Sequence, residues 1–163
     1  MDENWLVRIE EICFRCGGHC CTDAHPPISG RCYERLTGAG VSPEHFERDG
    51  YLRIRVRENG TCTLSQDGKC MIHSLKPETC RAGPFTFDVK GEIIEIFLKE
   101  ETICPMVSVL RDVPEAYRQQ YERAVESIAR LVSRLTDEEL EAICRIEEPD
   151  TVKVAEIPRR TYS

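Results

Sequence analysis

From Pro114 to Leu135 the apolar residues Tyr117, Tyr121, Ala124, Ile128, Leu131 and Leu135 recur at alternating steps of four and three. That spacing keeps one stripe on one side of an α-helix and predicts a long amphipathic helix. Thr136-Asp-Glu-Glu139 follows as a capping box and predicts a second helix carrying Leu140, Ile143 and Cys144. Elsewhere the period drops to two. Leu52, Ile54 and Val56 alternate with Arg53, Arg55 and Arg57, which predicts a half-buried strand over 51–57. Phe85–Val89, the turn Lys90-Gly91 and Glu92–Lys99 predict a hairpin, with Ile94, Ile96 and Leu98 on one face. Asn59-Gly60 and Asp67-Gly68 bracket Thr61–Leu64 and predict a meander of short strands.

Shorter helical patterns fill the first third of the chain. Trp5, Leu6, Ile9 and Ile12 mark a helix over 4–12, and a second runs from Ser29 to Thr37, stopped by Gly38. Ser42-Pro43-Glu44 reads as another helix start, ended by Gly50. Residues 13–28 read as a cysteine-rich loop, and 149–163 as a loosely attached tail. No internal repeat is visible.

Composition sharpens this outline. A chain of 163 residues suffices for one domain, or a small domain with a helical appendage. With 31% charged and 40% hydrophobic residues it reads as globular rather than disordered. The net charge of −7 argues against a nucleic-acid or anionic-membrane partner, since both require clustered Lys and Arg. The acidic start Met1-Asp-Glu-Asn-Trp5 has neither the basic nor the apolar region of a signal peptide, so a cytoplasmic protein is expected.

In that compartment ten cysteines imply metal or redox chemistry rather than disulfides. Nine of the ten lie between Cys13 and Cys104, with all four histidines and all ten glycines. The densest run is Cys13-Phe-Arg-Cys16-Gly-Gly-His-Cys20-Cys21, where the glycines let a loop curl around one centre. Adjacent side chains point apart, so Cys20 and Cys21 do not both face one metal. A second group comprises Cys62, Cys70 and Cys80, with Cys104 further on. Cys62 and Cys70 flank the Ser-Gln-Asp-Gly turn, Cys80 follows Pro77 on an expected helical turn, and Cys104 precedes Pro105, as a last ligand often does in ferredoxin-type clusters.

These residues resemble the YkgJ-type cysteine-cluster family, also called the CxxCxxCC or zinc- or iron-chelating domain family. The resemblance rests on the Cys13–Cys21 run, on Cys62 with Gly68-Lys69-Cys70, and on Lys76-Pro-x2-Cys80-Arg-x2-Pro84, covering roughly 13–105. Two departures stand out: one extra residue before the paired cysteines, and His73 where the family often has an aromatic residue. The resemblance implies a metal-binding fold. Some relatives, such as flagellin lysine N-methylases, carry the domain within an enzyme, and no common reaction follows.

The candidate metal ligands are Cys13, Cys16, Cys20, Cys21, Cys62, Cys70, Cys80 and Cys104. They can supply two four-thiolate zinc sites, two four-iron clusters, or one cluster with spare thiols. Zinc sites usually pair ligands in short knuckles, and no second knuckle is present, which favours an iron–sulfur cluster, [4Fe-4S], over zinc. A metal that only staples a loop-rich fold is the plainer alternative. Cys32 and Cys144 sit on predicted helices and read as small buried apolar residues.

His19 and His73 can replace a thiolate or donate to sulfur, although a loop histidine is more often simply solvated; His25 and His45 lack context. Arg81 beside Cys80 can offset cluster charge, whereas Arg53, Arg55 and Arg57 read as a solvated stripe. There is no G-x-G-x-x-G, P-loop, G-x-S-x-G or H-E-x-x-H, and the spacing from Cys13 reverses that of radical S-adenosylmethionine enzymes.

The expected fold is α+β: an irregular cysteine-rich metal-binding domain with short antiparallel strands over 1–112, a helical extension packed on it over 113–148, and the tail. The function expected first is a metal-binding module for electron transfer, cluster or metal delivery, or service as a subunit of a modifying enzyme. A protein partner would dock through the C-terminal helices. The second is an enzyme using the cluster in redox or S-adenosylmethionine-linked methyl transfer on a protein.

Overall fold

The antiparallel hairpin predicted by alternation forms from β5 (Phe85–Lys90) and β6 (Ile93–Lys99), joined by a two-residue turn with Gly91 at φ 61°. Gly is favoured there because a side chain clashes in the left-handed region. This computed structural model describes residues 4–15, 26–66, 69–72, 75–144 and 150–159. Phe85 stands opposite Leu98, Phe87 opposite Ile96 and Val89 opposite Ile94, so the apolar sets of both strands share one face.

The sheet gains a third strand where the sequence suggests a tail. β7 (Thr151–Pro158) pairs antiparallel with β6, giving the order β5-β6-β7. Its pattern was hard to read because the register slips between Ile96 and Phe97, which breaks the period of two. Ala155 and Ile157 still reach the core, and Lys153 pairs with Glu95 at 2.7 Å on the opposite face.

Helices cover the apolar face. α1 (Asn4–Arg15), α4 (Met106–Asp112), α5 (Pro114–Arg134) and α6 (Asp137–Cys144) contribute Trp5, Val109, Leu110, Ile128 and Leu140 to one core with Phe85, Ile94 and Ile96. Each fully buried aliphatic chain of this kind stabilises by about 1.5–3 kcal/mol. The capping box forms as read: Thr136 N donates to Glu139 Oε1 and Glu139 N to Thr136 Oγ1, both at 3.1 Å. The α5 stripe is spent inside the chain, with Ala124, Ile128 and Leu131 fully buried. α4 was not anticipated, because its seven residues are too short for a periodicity to show.

A second, smaller core lies around α2 (Gly30–Gly38), whose N-cap Ser29 accepts from Cys32 N at 3.2 Å. Ile28, Cys32, Leu36, Phe46, Ile54, Cys62 and Leu64 pack there. The helix expected from Ser42 is instead one 3-10 turn (Pro43–His45) leading into β1 (Phe46–Arg48), which pairs with β2 (Leu52–Ile54). Ser42 caps and Pro43 starts the turn as read, but burial of Phe46 edge-on to Tyr33 extends the chain into a strand. β3 (Ser65–Gln66) and β4 (Lys69–Cys70) replace the longer meander.

The helical turn α3 (Glu78–Ala82) joins the two cores. Its Glu78 carboxylate is buried, accepts from the Ser29 hydroxyl of the α2 cap at 3.3 Å and pairs with Arg134 of α5 at 3.5 Å. A buried carboxylate is tolerable only with such partners. The network therefore sets where α3 sits.

Candidate metal centre

Cys80 belongs to α3, and burial within that turn decides where its sulfur points. Glu78 and Ala82, four apart, face inward, while Cys80 and Arg81 are exposed. The turn is held from several sides. Thr79 Oγ1 donates to Pro27 O at 3.4 Å, and Gln120 of α5 donates to Gly83 O at 2.7 Å. Cys80 is thus an outward thiol on a clamped backbone.

Cys62 sits at the end of a tight loop. Arg57 N donates to Thr61 O at 2.7 Å, Gly60 takes φ 85°, and Asn59 Oδ1 accepts from Thr61 N at 3.1 Å. Cys62 is 7% exposed and bridges to Val56. The hairpin expected to bring Cys62 and Cys70 together does form, but Cys70 faces Ser65, three residues beyond Cys62. Cys104 precedes Pro105 and α4; its amide donates to Glu100 O at 3.0 Å, and its carbonyl accepts from Val107 N at 3.0 Å. α1, on which the backbone of Cys13 lies, packs against α4, the helix that follows the Cys104 turn. The sequence reading ended this helix one residue before Cys13; the helix continues to Arg15.

Cys16, Cys20, Cys21, His19, His25 and His73 lie outside the described residues, as do the side chains of Cys13 and Cys70. Among the described residues no three His, Cys, Asp or Glu side chains stand close enough to hold a metal ion. The described donors, Cys62, Cys80 and Cys104, are thiols on three separate segments, a donor chemistry that suits zinc, iron–sulfur or another soft or borderline metal. They do not form a site without the other cysteine group.

The two cysteines set aside behave as apolar residues. Burial, with the Glu78 carboxylate beside it, pushes the Cys32 thiol up to about 11. Burial, with a hydrogen bond to Asp88, pushes Cys144 up to about 11 against the opposing effect of the Val89 amide, which donates to its sulfur at 3.4 Å. The thiolate is the reactive species, so raised values mean slow chemistry at neutral pH. Iodoacetamide at pH 8 is expected to leave Cys32 and Cys144 unmodified in the folded chain and to label both after denaturation. Labelling of Cys144 at the rate of an exposed thiol would contradict its assignment as a packing residue.

Charged side chains redistribute the roles suggested by sequence. The arginine stripe is solvated in part, as expected: Arg55 and Arg57 are exposed, Arg55 3.9 Å from Glu47 and Arg57 on the Cys62 loop, whereas Arg53 is half-buried and pairs with Glu47 at 3.2 Å. His45 shares a hydrogen bond with Thr63 Oγ1 at 3.0 Å. Glu78, Gln120 and Arg57, which hold the backbone around Cys80 and Cys62, carry no signal in the sequence, because their partners lie on other segments or are backbone carbonyls.

No helix among the described residues is long and apolar enough to cross a membrane. No curated protein and no solved structure matches the chain. The CxxCxxCC family, described as a zinc- or iron-chelating domain, matches residues 12–105. Its span opens one residue before Cys13 and closes one residue after Cys104. With more than half of its length inside that match, the chain belongs to the CxxCxxCC family of zinc- or iron-chelating domains.

Proposed function

We propose that the chain is a binding module that holds an iron–sulfur cluster, of the [4Fe-4S] type, through thiolates drawn from Cys13, Cys16, Cys20, Cys21, Cys62, Cys70, Cys80 and Cys104. The observation that carries this reading is the extent of the family match, which these eight cysteines span from end to end and which leaves Cys144 outside. Cluster rather than zinc is favoured by ligand spacing: beyond the first run, no short knuckle recurs. When bound, such a cluster supplies one-electron chemistry.

The role proposed for the module is exchange of electrons, or of the cluster itself, with a protein partner. The exposure of Cys80 on a clamped turn supports it, because a cluster held by that thiol would have one edge near the surface. Elemental analysis with visible absorption of anaerobically purified protein tests the assignment. Iron and sulfide with broad visible absorption are expected. Colourless protein with stoichiometric zinc would replace the cluster by thiolate zinc sites. Folded, metal-free protein indifferent to chelators would remove the metal reading altogether.

A further inference from the structure

The Arg57 guanidinium donates from Nη1 to Cys62 O at 2.8 Å and from Nη2 to Thr63 O at 3.1 Å, with a third contact from Nη1 to Thr61 Oγ1 at 3.3 Å. Two consecutive carbonyls turned to one donor is not strand geometry, in which successive carbonyls alternate sides. The chain turns here: Ser65 N donates to Cys62 O at 3.0 Å, closing a turn over 62–65. Cys62 O therefore accepts two donors, and both of its lone pairs are used. The preceding peptide is held as well, its Thr61 O accepting from Arg57 N at 2.7 Å, and two planes fixed on either side of Cα fix the Cα–Cβ direction of Cys62. A lysine, with a single-point ammonium, cannot reproduce the fork.

We propose that Arg57 is a positioning residue of the metal centre: its guanidinium fork forms the Cys62 turn in advance, so that the metal meets the thiolate already in place. The inference rests on the reading of Cys62 as a ligand. Arg35 is a weaker counterpart at the far end of the same segment, donating from Nη2 to Leu75 O and Lys76 O, both at 3.4 Å, just before the Cys80 turn. Between the two, the shorter contacts of Arg57 assign it the larger effect. Without the fork, only the backbone bonds hold the turn, the metal has to complete its ordering, and binding weakens accordingly; groups that orient metal ligands are typically worth about 10–100-fold in affinity.

The test uses the full chain, stripped of metal and titrated with Zn2+ against a chromophoric chelator, alongside the sulfur-to-metal charge-transfer band of the Co2+-loaded protein. Arg57→Lys is expected to bind Zn2+ about 10-fold more weakly and to shift the Co2+ band, while Arg55→Lys, two residues earlier, changes neither. If Arg57→Lys lowers only the thermal midpoint, leaving Zn2+ affinity and the Co2+ band as in the unmodified chain, the arginine merely staples a loop and the proposal is refuted. Cys62→Ser separates the two layers. Should it bind Zn2+ unchanged, the ligand assignment fails and the clamp with it; should it lose Zn2+ while Arg57→Lys does not, the clamp alone fails.

Discussion

Cys80→Ser is expected to strip the protein of its full metal complement and lower its thermal midpoint, while Cys144→Ser keeps both close to those of the unmodified chain. The substitution exchanges sulfur for oxygen at an outward position. Cys80 is exposed, and the groups that hold its turn, Glu78, Thr79, Gln120 and the carbonyl of Gly83, are untouched. A hydroxyl does not ionise at neutral pH and is a poor ligand for zinc or iron–sulfur iron, so the loss is one of coordination. Stability follows because a metal bound only by the folded state adds its binding free energy to folding. The contrast with Cys144 is physical: that sulfur accepts from the Val89 amide of β5, and a serine hydroxyl can accept the same bond. Metal per chain and thermal midpoint for the two variants decide the matter. If Cys144→Ser loses metal as completely as Cys80→Ser, the division of the ten cysteines into eight ligands and two packing residues is wrong.

Ile96→Ala is expected to cost about 3–4 kcal/mol of folding stability, within the range for deleting a buried aliphatic chain, and to leave the metal content of the surviving folded protein unchanged. Ile96 is fully buried on the middle strand, with Phe87 opposite it on β5 and Ala155 on β7. It belongs to the core that also contains Trp5, Val109 and Ile128, so the cavity opens where α-helices and sheet meet, in close-packed surroundings that relax only in part. Urea unfolding measures the change through the midpoint at constant slope. A loss below about 1 kcal/mol would mean that the sheet does not rest on that core. Together the two substitutions separate support by apolar burial from support by the proposed thiolate ligation.

Much of this architecture was legible where a pattern is local. The hairpin at 85–99, the α5 stripe and the Thr136–Glu139 box each rest on residues a few positions apart, and each forms. Where a strand's partner is distant, the reading failed. Phe46 continues into β1 because Tyr33 and Ile54 wait for it, and β7 joins β6 across some fifty residues with a register slip. The candidate site divides along the same line. That the chain belongs to a zinc- or iron-chelating family was legible in the number, spacing and motif of its cysteines. That Cys62 and Cys80 sit on clamped turns was not, because the clamps are Arg57 on backbone carbonyls, Glu78 on Ser29 and Arg134, and Gln120 on Gly83.

By itself, then, the sequence determined the chemistry available to this protein: eight clustered thiols in family order, with two others outside the set, and helices and a hairpin whose periodicities are local. Tertiary structure decided the presentation of that chemistry. It made Glu78 the link between two cores and recruited the C-terminal residues as a sheet strand. The reason is that periodicity and ligand type are properties of neighbouring residues, whereas a hydrogen bond to a distant carbonyl or a buried ion pair exists only once the chain has closed on itself.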